Sequence, residues 1–227
     1  MPRKTFEREL QGLQDEVLAL GSIVENAIIE SVEVLKRQDL EGAQLLIAQD
    51  GVINEKRFAI EADALALIAT QQPMAVDLRV IAAILEIVTE LERIGDYAKG
   101  IARITLMIGK EPLVKPLIDV PLMAEKVRDM LHRSLEAFIH RDAEMARAIP
   151  REDDEVDRLY RLVYLELLDH MIADRSVVDR ATYLLWVAHN LERTSDRVTN
   201  ICERVLFTVT GEMMEMDVDE EGVSGLN

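Results

Sequence analysis

Apolar residues recur along the chain at steps of three and four positions, the spacing that marks one face of an α-helix. From about residue 5 to residue 37 this spacing predicts one helix with an unbroken apolar stripe. The same pattern predicts a second helix over about 39–69 and a third over about 75–108. At about 1.5 Å per residue the first helix would be nearly 50 Å long, a length common in helical bundles.

The helical pattern then stops and starts again. Gly109, Pro112, Pro116 and Pro121 interrupt it, and prolines at this density end helices, so we place a proline-rich linker at 109–121. Beyond the linker the spacing predicts helices over about 122–140, 142–172 with a disturbance near Pro150, and 177–210. Residues 211–227 are acidic and contain glycine, and we expect a disordered tail there.

The second half repeats the first. Asp39 and Ala43 correspond to Asp142 and Ala146 at an offset of 103 residues, and the offset falls to 100 in the last helix of each half. The sequence therefore predicts an all-α fold with six long antiparallel helices. They form two tandem three-helix bundles, 5–108 and 122–210, which are related by an internal repeat.

The amino-acid composition agrees with a helical fold and limits the classes of molecule that the protein can bind. Only 4% of the 227 residues are aromatic, and the net charge of −17 argues against nucleic acid and anionic lipid as primary partners. The single cysteine, Cys202, excludes an intramolecular disulfide. Because no apolar run approaches the roughly 18–20 residues of a membrane span, we expect a soluble, cytoplasmic protein without direct membrane insertion.

One short motif occurs in both halves. Leu91-Glu92-Arg93-Ile94-Gly95-Asp96 returns 100 residues later as Leu191-Glu192-Arg193-Thr194-Ser195-Asp196. Residues four apart lie on one helix face, so each copy stacks two carboxylates, an arrangement that destabilises a helix by about 0.2–0.5 kcal/mol. Its repetition indicates a bound cation.

The second helix of each half adds oxygen donors that should face these pairs. Asp50 and Asn54 correspond to Asp153 and Asp157, and antiparallel helices joined by a tight turn bring them level with the motif. Such clusters favour magnesium, manganese or calcium, with iron or zinc also possible. The predicted metal ligands are Glu92, Asp96, Glu192, Asp196, Asp50, Asn54, Asp153 and Asp157. The alternative is a solvated acidic face with Arg93 and Arg193 as countercharges.

Other chemistry is weakly indicated. His189 and Glu192 form a His/Glu pair at i, i+3, a spacing also found in di-iron bundles, but the counterpart of His189 is Thr89, so the pair occurs once. The sequence has no phosphate-binding glycine loop and no nucleophile motif, and we expect no enzyme activity.

The repeated motif resembles that of the PhoU family of phosphate-uptake regulators. Gln71-Gln72-Pro73-Met74-Ala75-Val76-Asp77-Leu78-Arg79 before the first copy and Asn200-Ile201-Cys202-Glu203 after the second also resemble that family, over about residues 5–210. The resemblance implies tandem three-helix bundles, some of which bind multinuclear metal clusters at Glu-x-x-x-Asp. The chain departs at Thr194-Ser195, where the family usually repeats Ile-Gly.

The resemblance also implies a function. PhoU-like proteins act as adaptors between the phosphate ABC transporter ATPase and a sensor histidine kinase, and they restrain uptake and the phosphate-starvation response. We expect this role here, together with a homodimer. Two alternatives remain: a di-metal carboxylate enzyme, against which the lack of a repeated Glu-x-x-His counts, and a metal-storage or scaffolding bundle.

Overall fold

The computed structural model describes residues 2–216, and every regular element in that range is helical. Short 3-10 turns at Ile149–Glu152 and Arg175–Val177 precede the last two helices. The helices are α1 (Pro2–Arg37), α2 (Leu40–Gln71), α3 (Val76–Ile108), α4 (Asp119–His140), α5 (Ala143–Ala148), α6 (Asp153–Ala173) and α7 (Val178–Thr210). The predicted all-α fold of repeated three-helix units is confirmed, with α5 and α6 as the two parts of the fifth predicted helix.

The helix ends follow from local chemistry. The Asp39 carboxylate accepts the Gly42 N–H at 3.0 Å and starts α2, and Asp142 caps α5 in the same way. Pro150 has no N–H to donate, which explains the 3-10 turn between α5 and α6. Helix α4 begins at Asp119, three residues earlier than predicted, because Pro121 fits the first turn of a helix.

The two halves share one hydrophobic core. Helices α1, α2 and α3 pack together in the first half, as α4, α6 and α7 do in the second, and the halves meet along α3–α7 and α1–α4. Fully buried side chains from both halves form one continuous cluster, for example Leu20, Ile84, Leu131 and Leu191. In the described part of the chain, no helix combines the length and apolarity needed to cross a membrane.

Helices α3 and α7 run antiparallel along the boundary between the halves. Glu86 pairs with Arg204 at 2.9 Å near one end of this contact, and Gly100 lies against Asn190 towards the other. In this register the two motif copies, centred on Gly95 and Ser195, lie level with each other at the middle of the boundary. We call this contact between α3 and α7 the central seam.

The segments outside the helices are attached to them. The Gln38 side chain donates to the Gly109 carbonyl at 3.1 Å, and Arg180 donates to the Pro112 carbonyl at 2.7 Å, so the first residues of the linker are held by both halves. After α7, the Met216 N–H donates to Glu203 Oε1 at 2.8 Å and its side chain packs on the core. Of the tail predicted over 211–227, the structure describes residues 211–216, which include this attached methionine, and 217–227 lie outside the described residues.

Candidate functional site

The structure brings the predicted first-half residues together around a lysine. Asp50 and Asn54 on α2 face Glu92 and Asp96 on α3. Lys99, one turn beyond Asp96, donates to Asp50 Oδ2 at 2.6 Å and to Asp96 Oδ1 at 3.2 Å. The sequence reasoning did not include Lys99. Its ammonium stands between two of the carboxylates that were predicted to share a metal ion.

The remaining first-half groups are also engaged. The Asn54 amide donates to Asp50 Oδ2 at 3.2 Å, and Glu92 Oε2 lies 3.6 Å from the Arg57 guanidinium. Burial raises the pKa of Glu92, and the neighbouring Asp96 raises it further, while Arg57 opposes them. Asp50 Oδ1 is buried without a hydrogen-bond partner in the described structure.

The second half places four carboxylates together with no lysine. Asp153 and Asp157 on α6 face Glu192 and Asp196 on α7, and Thr199 occupies the position equivalent to Lys99. Burial, together with the charges of Asp157 and Asp196, raises the pKa of Asp153 to about 6 and that of Glu192 to about 7, although Ser195 opposes the first shift and Arg193 the second. This cluster therefore lacks the lysine that the first cluster holds between two of its carboxylates.

The departure from the family pattern at Ser195 is accommodated by its neighbours. A Cβ on Gly95 would lie 2.8 Å from Ile53 Cδ1, so the first half has glycine where α3 meets α2. The counterpart of Ile53 is Val156, one methylene shorter, which leaves space for a serine. Ser195 is buried, and its hydroxyl donates to Asp153 Oδ1. The α6–α7 pair thus has a hydrogen bond that the α2–α3 pair lacks at the equivalent position.

One histidine and two tyrosines border the second cluster. His189 Nδ1 lies 3.2 Å from Glu192 Oε2, an oxygen that makes no hydrogen bond within the described residues. The His189 and Tyr160 rings lie 6.2 Å apart between centroids. Tyr160, Tyr164 and Glu192 line a surface cavity of about 390 Å³. His189 thus lies beside the cluster, and its role as a metal ligand stays a prediction.

The two clusters differ in their fit to a metal ion. Across residues 2–216, no three or more His, Cys, Asp or Glu side chains lie close enough together to hold one. In the first half the Lys99 ammonium already supplies positive charge, so a metal ion fits poorly there. In the second half the side chains are all oxygen donors, the kind that a hard cation prefers, and Glu192 Oε2 makes no hydrogen bond within the described residues.

Sequence reasoning also missed a buried acidic residue on the central seam. Glu90 accepts hydrogen bonds from Arg93 at 2.7 Å and Asn200 at 3.3 Å, and it lies 3.4 Å from Arg197. This network joins α3 of the first half to α7 of the second. The sign of it in the sequence was the position of Glu90, a charged residue directly before the inward-facing Leu91.

The fold and its paired carboxylates define a tandem three-helix-bundle protein with one Glu-x-x-x-Asp motif in each half. A family model described as the PhoU domain matches the chain twice, over residues 17–105 and 120–205. The chain belongs to the PhoU family, and the family membership predicted from the sequence is confirmed.

Individual relatives match along nearly their whole length. A phosphate-specific transport system accessory protein PhoU homolog from Clostridium acetobutylicum is 38% identical over 218 residues, 96% of this chain and 100% of that one. The crystal structure of the phosphate transport system regulatory protein PhoU from Streptococcus pneumoniae superposes with a TM-score of 0.86 at 31% identity, covering 93% and 100%. PhoU from Pseudomonas aeruginosa also gives 0.86, at 32% identity, covering 91% and 100%.

Proposed function

We propose that this protein is an accessory regulator of phosphate-specific transport, which restrains uptake and the phosphate-starvation response when phosphate is plentiful. The observation that carries this proposal is a match of both halves to one family, with a relative named as an accessory protein aligning over 96% of the chain. The names of such relatives, which call them accessory or regulatory proteins, support a regulatory rather than a catalytic role.

The proposed regulation works through direct contact with the ATPase of the phosphate ABC transporter and with a sensor histidine kinase. An exposed apolar stripe on α6 supports a docking role, since large apolar surface patches mark interaction sites. Leu162, Leu165, Leu168 and Ile172 recur on one face of that helix, and Ile172 is 75% exposed. Helix α2, on the opposite flank, exposes Leu45, Phe58 and Leu65.

The two flanks suit a protein that bridges partners. Because α2 and α6 belong to different halves, each half has its own exposed apolar helix surface for a partner or for a second copy in a homodimer. Both proposed partners have their nucleotide-binding domains in the cytoplasm, and the proposal places this protein there.

The proposed metal site lies in the second half of the chain. Asp153, Asp157, Glu192 and Asp196 would hold a hard divalent cation, which would neutralise their charge and join α6 to α7. In the first half, Lys99 performs this neutralisation between Asp50 and Asp96. Metal binding would then stabilise one docking flank without chemistry at the metal.

A di-metal carboxylate enzyme is the second candidate. The observation that favours it is a histidine three residues from a carboxylate of the second cluster, with His189 Nδ1 3.2 Å from Glu192 Oε2, although the order is the reverse of the Glu-x-x-His of such bundles. Oxygen consumption by the purified protein with ferrous iron tests it. Consumption that is lost in Glu192→Gln would favour the enzyme over the regulator, and no consumption above buffer would reject it.

Phosphate uptake in a deletion strain tests the regulatory proposal. We expect uptake to stay high, and starvation genes to stay expressed, when the strain grows in excess phosphate. Reintroducing the wild-type chain should restore both responses to phosphate. Uptake and expression that match the parent strain would contradict the proposal and favour the storage or scaffolding alternative.

A further inference from the structure

A cavity of about 320 Å³ lies between α1, α2 and α3, beside the first-half carboxylates. Ile23, Ala27, Leu46 and Ile53 provide apolar walls, while Glu30 and Asp50 provide acidic groups. Gly95 lines the cavity where a side chain would otherwise enter. The volume is within the range of small-ligand pockets, roughly 300–1,000 Å³, and the mixture of apolar walls with a few polar groups is typical of them.

Asp50 has an unused acceptor at this cavity. Its side chain is only 9% exposed, and its Oδ2 receives both Lys99 and Asn54. Its Oδ1 has no hydrogen-bond partner within the described residues, an unfavourable state for a buried carboxylate oxygen. Asp50 is itself one of the residues that line the cavity.

The internal repeat provides a control for the cavity. At the equivalent place in the second half, Met130 replaces Ala27 and Ser195 replaces Gly95, and both are larger. Arg133 replaces Glu30 and makes two hydrogen bonds, of 2.7 and 2.8 Å, to Glu152.

A lysine completes the closure of the second half. Lys126, at the position of Ile23, pairs with Glu152 at 2.7 Å and with Glu155 at 2.8 Å. Ion pairs and longer side chains therefore occupy the place where the first half has a cavity. The repeated architecture does not by itself require an opening, so the opening is a specific feature of the first half.

We propose that this cavity binds a small organic cation, with its apolar body against Leu46 and Ile53 and its N–H donors on Asp50 Oδ1 and Glu30. The charges favour a cation over an anion, since the one lysine at the cavity, Lys99, is already paired with Asp50 and Asp96. The net charge of −17 also attracts cations. A bound ligand would contact all three helices of the first half.

Titration calorimetry of the full chain with benzamidine tests this site, because benzamidine combines a flat apolar ring with a cationic N–H donor. We expect binding by the wild type and none in Ala27→Met, which introduces the second-half side chain. Asp50→Asn should weaken binding by about tenfold or more, since it removes a charge-assisted hydrogen bond. Glu55→Gln, the same charge change on an exposed residue of α2, should leave the affinity unchanged. Benzoate, with the opposite charge, should not bind.

A second measurement needs no variant. Nuclear Overhauser effects from the benzamidine ring protons should reach the methyl groups of Leu46 and Ile53 in the wild type. Absence of benzamidine binding, contacts only to other residues, or equal affinity for benzoate would overturn the proposal. So would benzamidine binding that persists unchanged in Ala27→Met, with circular dichroism used to check that each variant is folded.

Discussion

Lys99 Nζ donates to Asp50 Oδ2 at 2.6 Å, in the middle of a carboxylate cluster that the internal repeat builds twice. In the second half the equivalent position is Thr199, whose hydroxyl has no hydrogen-bond partner within the described residues. The first cluster therefore has a lysine between two of its carboxylates, whereas the second has none there and contains two carboxyl groups with raised pKa values. This difference between the halves leads to predictions that can be tested on matched variants.

The first prediction concerns where a divalent cation binds. Glu192→Gln should lower the affinity for Mn²⁺ by about tenfold or more, because it removes an oxygen ligand and its charge. Glu92→Gln makes the same change in the lysine-filled cluster and should have little effect. Calorimetric titration with MnCl₂ measures both, and equal losses in the two variants would refute the assignment to the second half.

The second prediction converts the first cluster into a copy of the second. Lys99→Thr leaves Asp50 buried without its countercharge, and we expect a loss of about 2–4 kcal/mol in the free energy of unfolding. Because the cluster then resembles its counterpart, Mn²⁺ should restore part of that stability. Urea denaturation with and without Mn²⁺ measures the effect.

The control for Lys99→Thr is Lys56→Thr, which removes an ion pair between α2 and α1 whose carboxylate partner, Glu16, is exposed. That variant should lose less than about 1 kcal/mol and gain no additional Mn²⁺ dependence. If Lys99→Thr were as stable as the wild type, the buried pair with Asp50 would not contribute as described.

The third prediction is a pH dependence that originates at Glu192. Its pKa rises from 4.5 to about 7 through burial and the carboxylates of Asp196, Asp157 and Asp153, against an opposing Arg193. Between these values the folded chain binds more protons than the unfolded chain, so this contribution to stability is present below pH 4.5 and lost as the pH rises through 7. It is on the order of 2 kcal/mol.

Comparison of the wild type with Glu192→Gln isolates this contribution. In the presence of EDTA, urea denaturation at pH 5 and pH 8 should show a steeper loss of stability for the wild type than for the variant. His189 faces Glu192 at 3.2 Å, so His189→Gln is measured in parallel to separate its titration. Parallel pH profiles for the wild type and Glu192→Gln would contradict the raised pKa.

The fourth prediction concerns the central seam. Glu90 is 11% exposed in its side chain, and Glu90→Ala would leave Arg197 buried beside no carboxylate. We expect a loss of about 2–4 kcal/mol in the free energy of unfolding. Glu86→Ala removes another seam ion pair, with Arg204, but this glutamate is 50% exposed and should cost less than about 1 kcal/mol. Similar losses of stability in Glu90→Ala and Glu86→Ala would show that the burial of a glutamate on the central seam does not determine how much its ion pair contributes.

Much of the fold was predictable because its determinants are local. The spacing of apolar residues gave the helices, Asp39 and Asp142 gave two of their starts, and Pro150 gave the interruption. Each of these is decided by hydrogen bonding within a few residues of the chain, which a sequence displays directly.

The candidate site was predictable only in part. Repetition located all eight oxygen donors, but it drew attention to what the halves share rather than to Lys99 and Thr199, where they differ. The Glu90 network and the Ser195–Asp153 hydrogen bond depend on how two distant helices are rotated about each other. That rotation is set by packing across the whole core, and no short stretch of sequence reports it.

The central claim is that this protein links phosphate supply to the transporter and its sensor. Capture of the tagged full-length chain from cells grown in high and in low phosphate, with partners identified by mass spectrometry, tests it most directly. We expect recovery of the phosphate transporter ATPase or a sensor histidine kinase, in an amount that changes with phosphate. Recovery of neither protein in both conditions would contradict it.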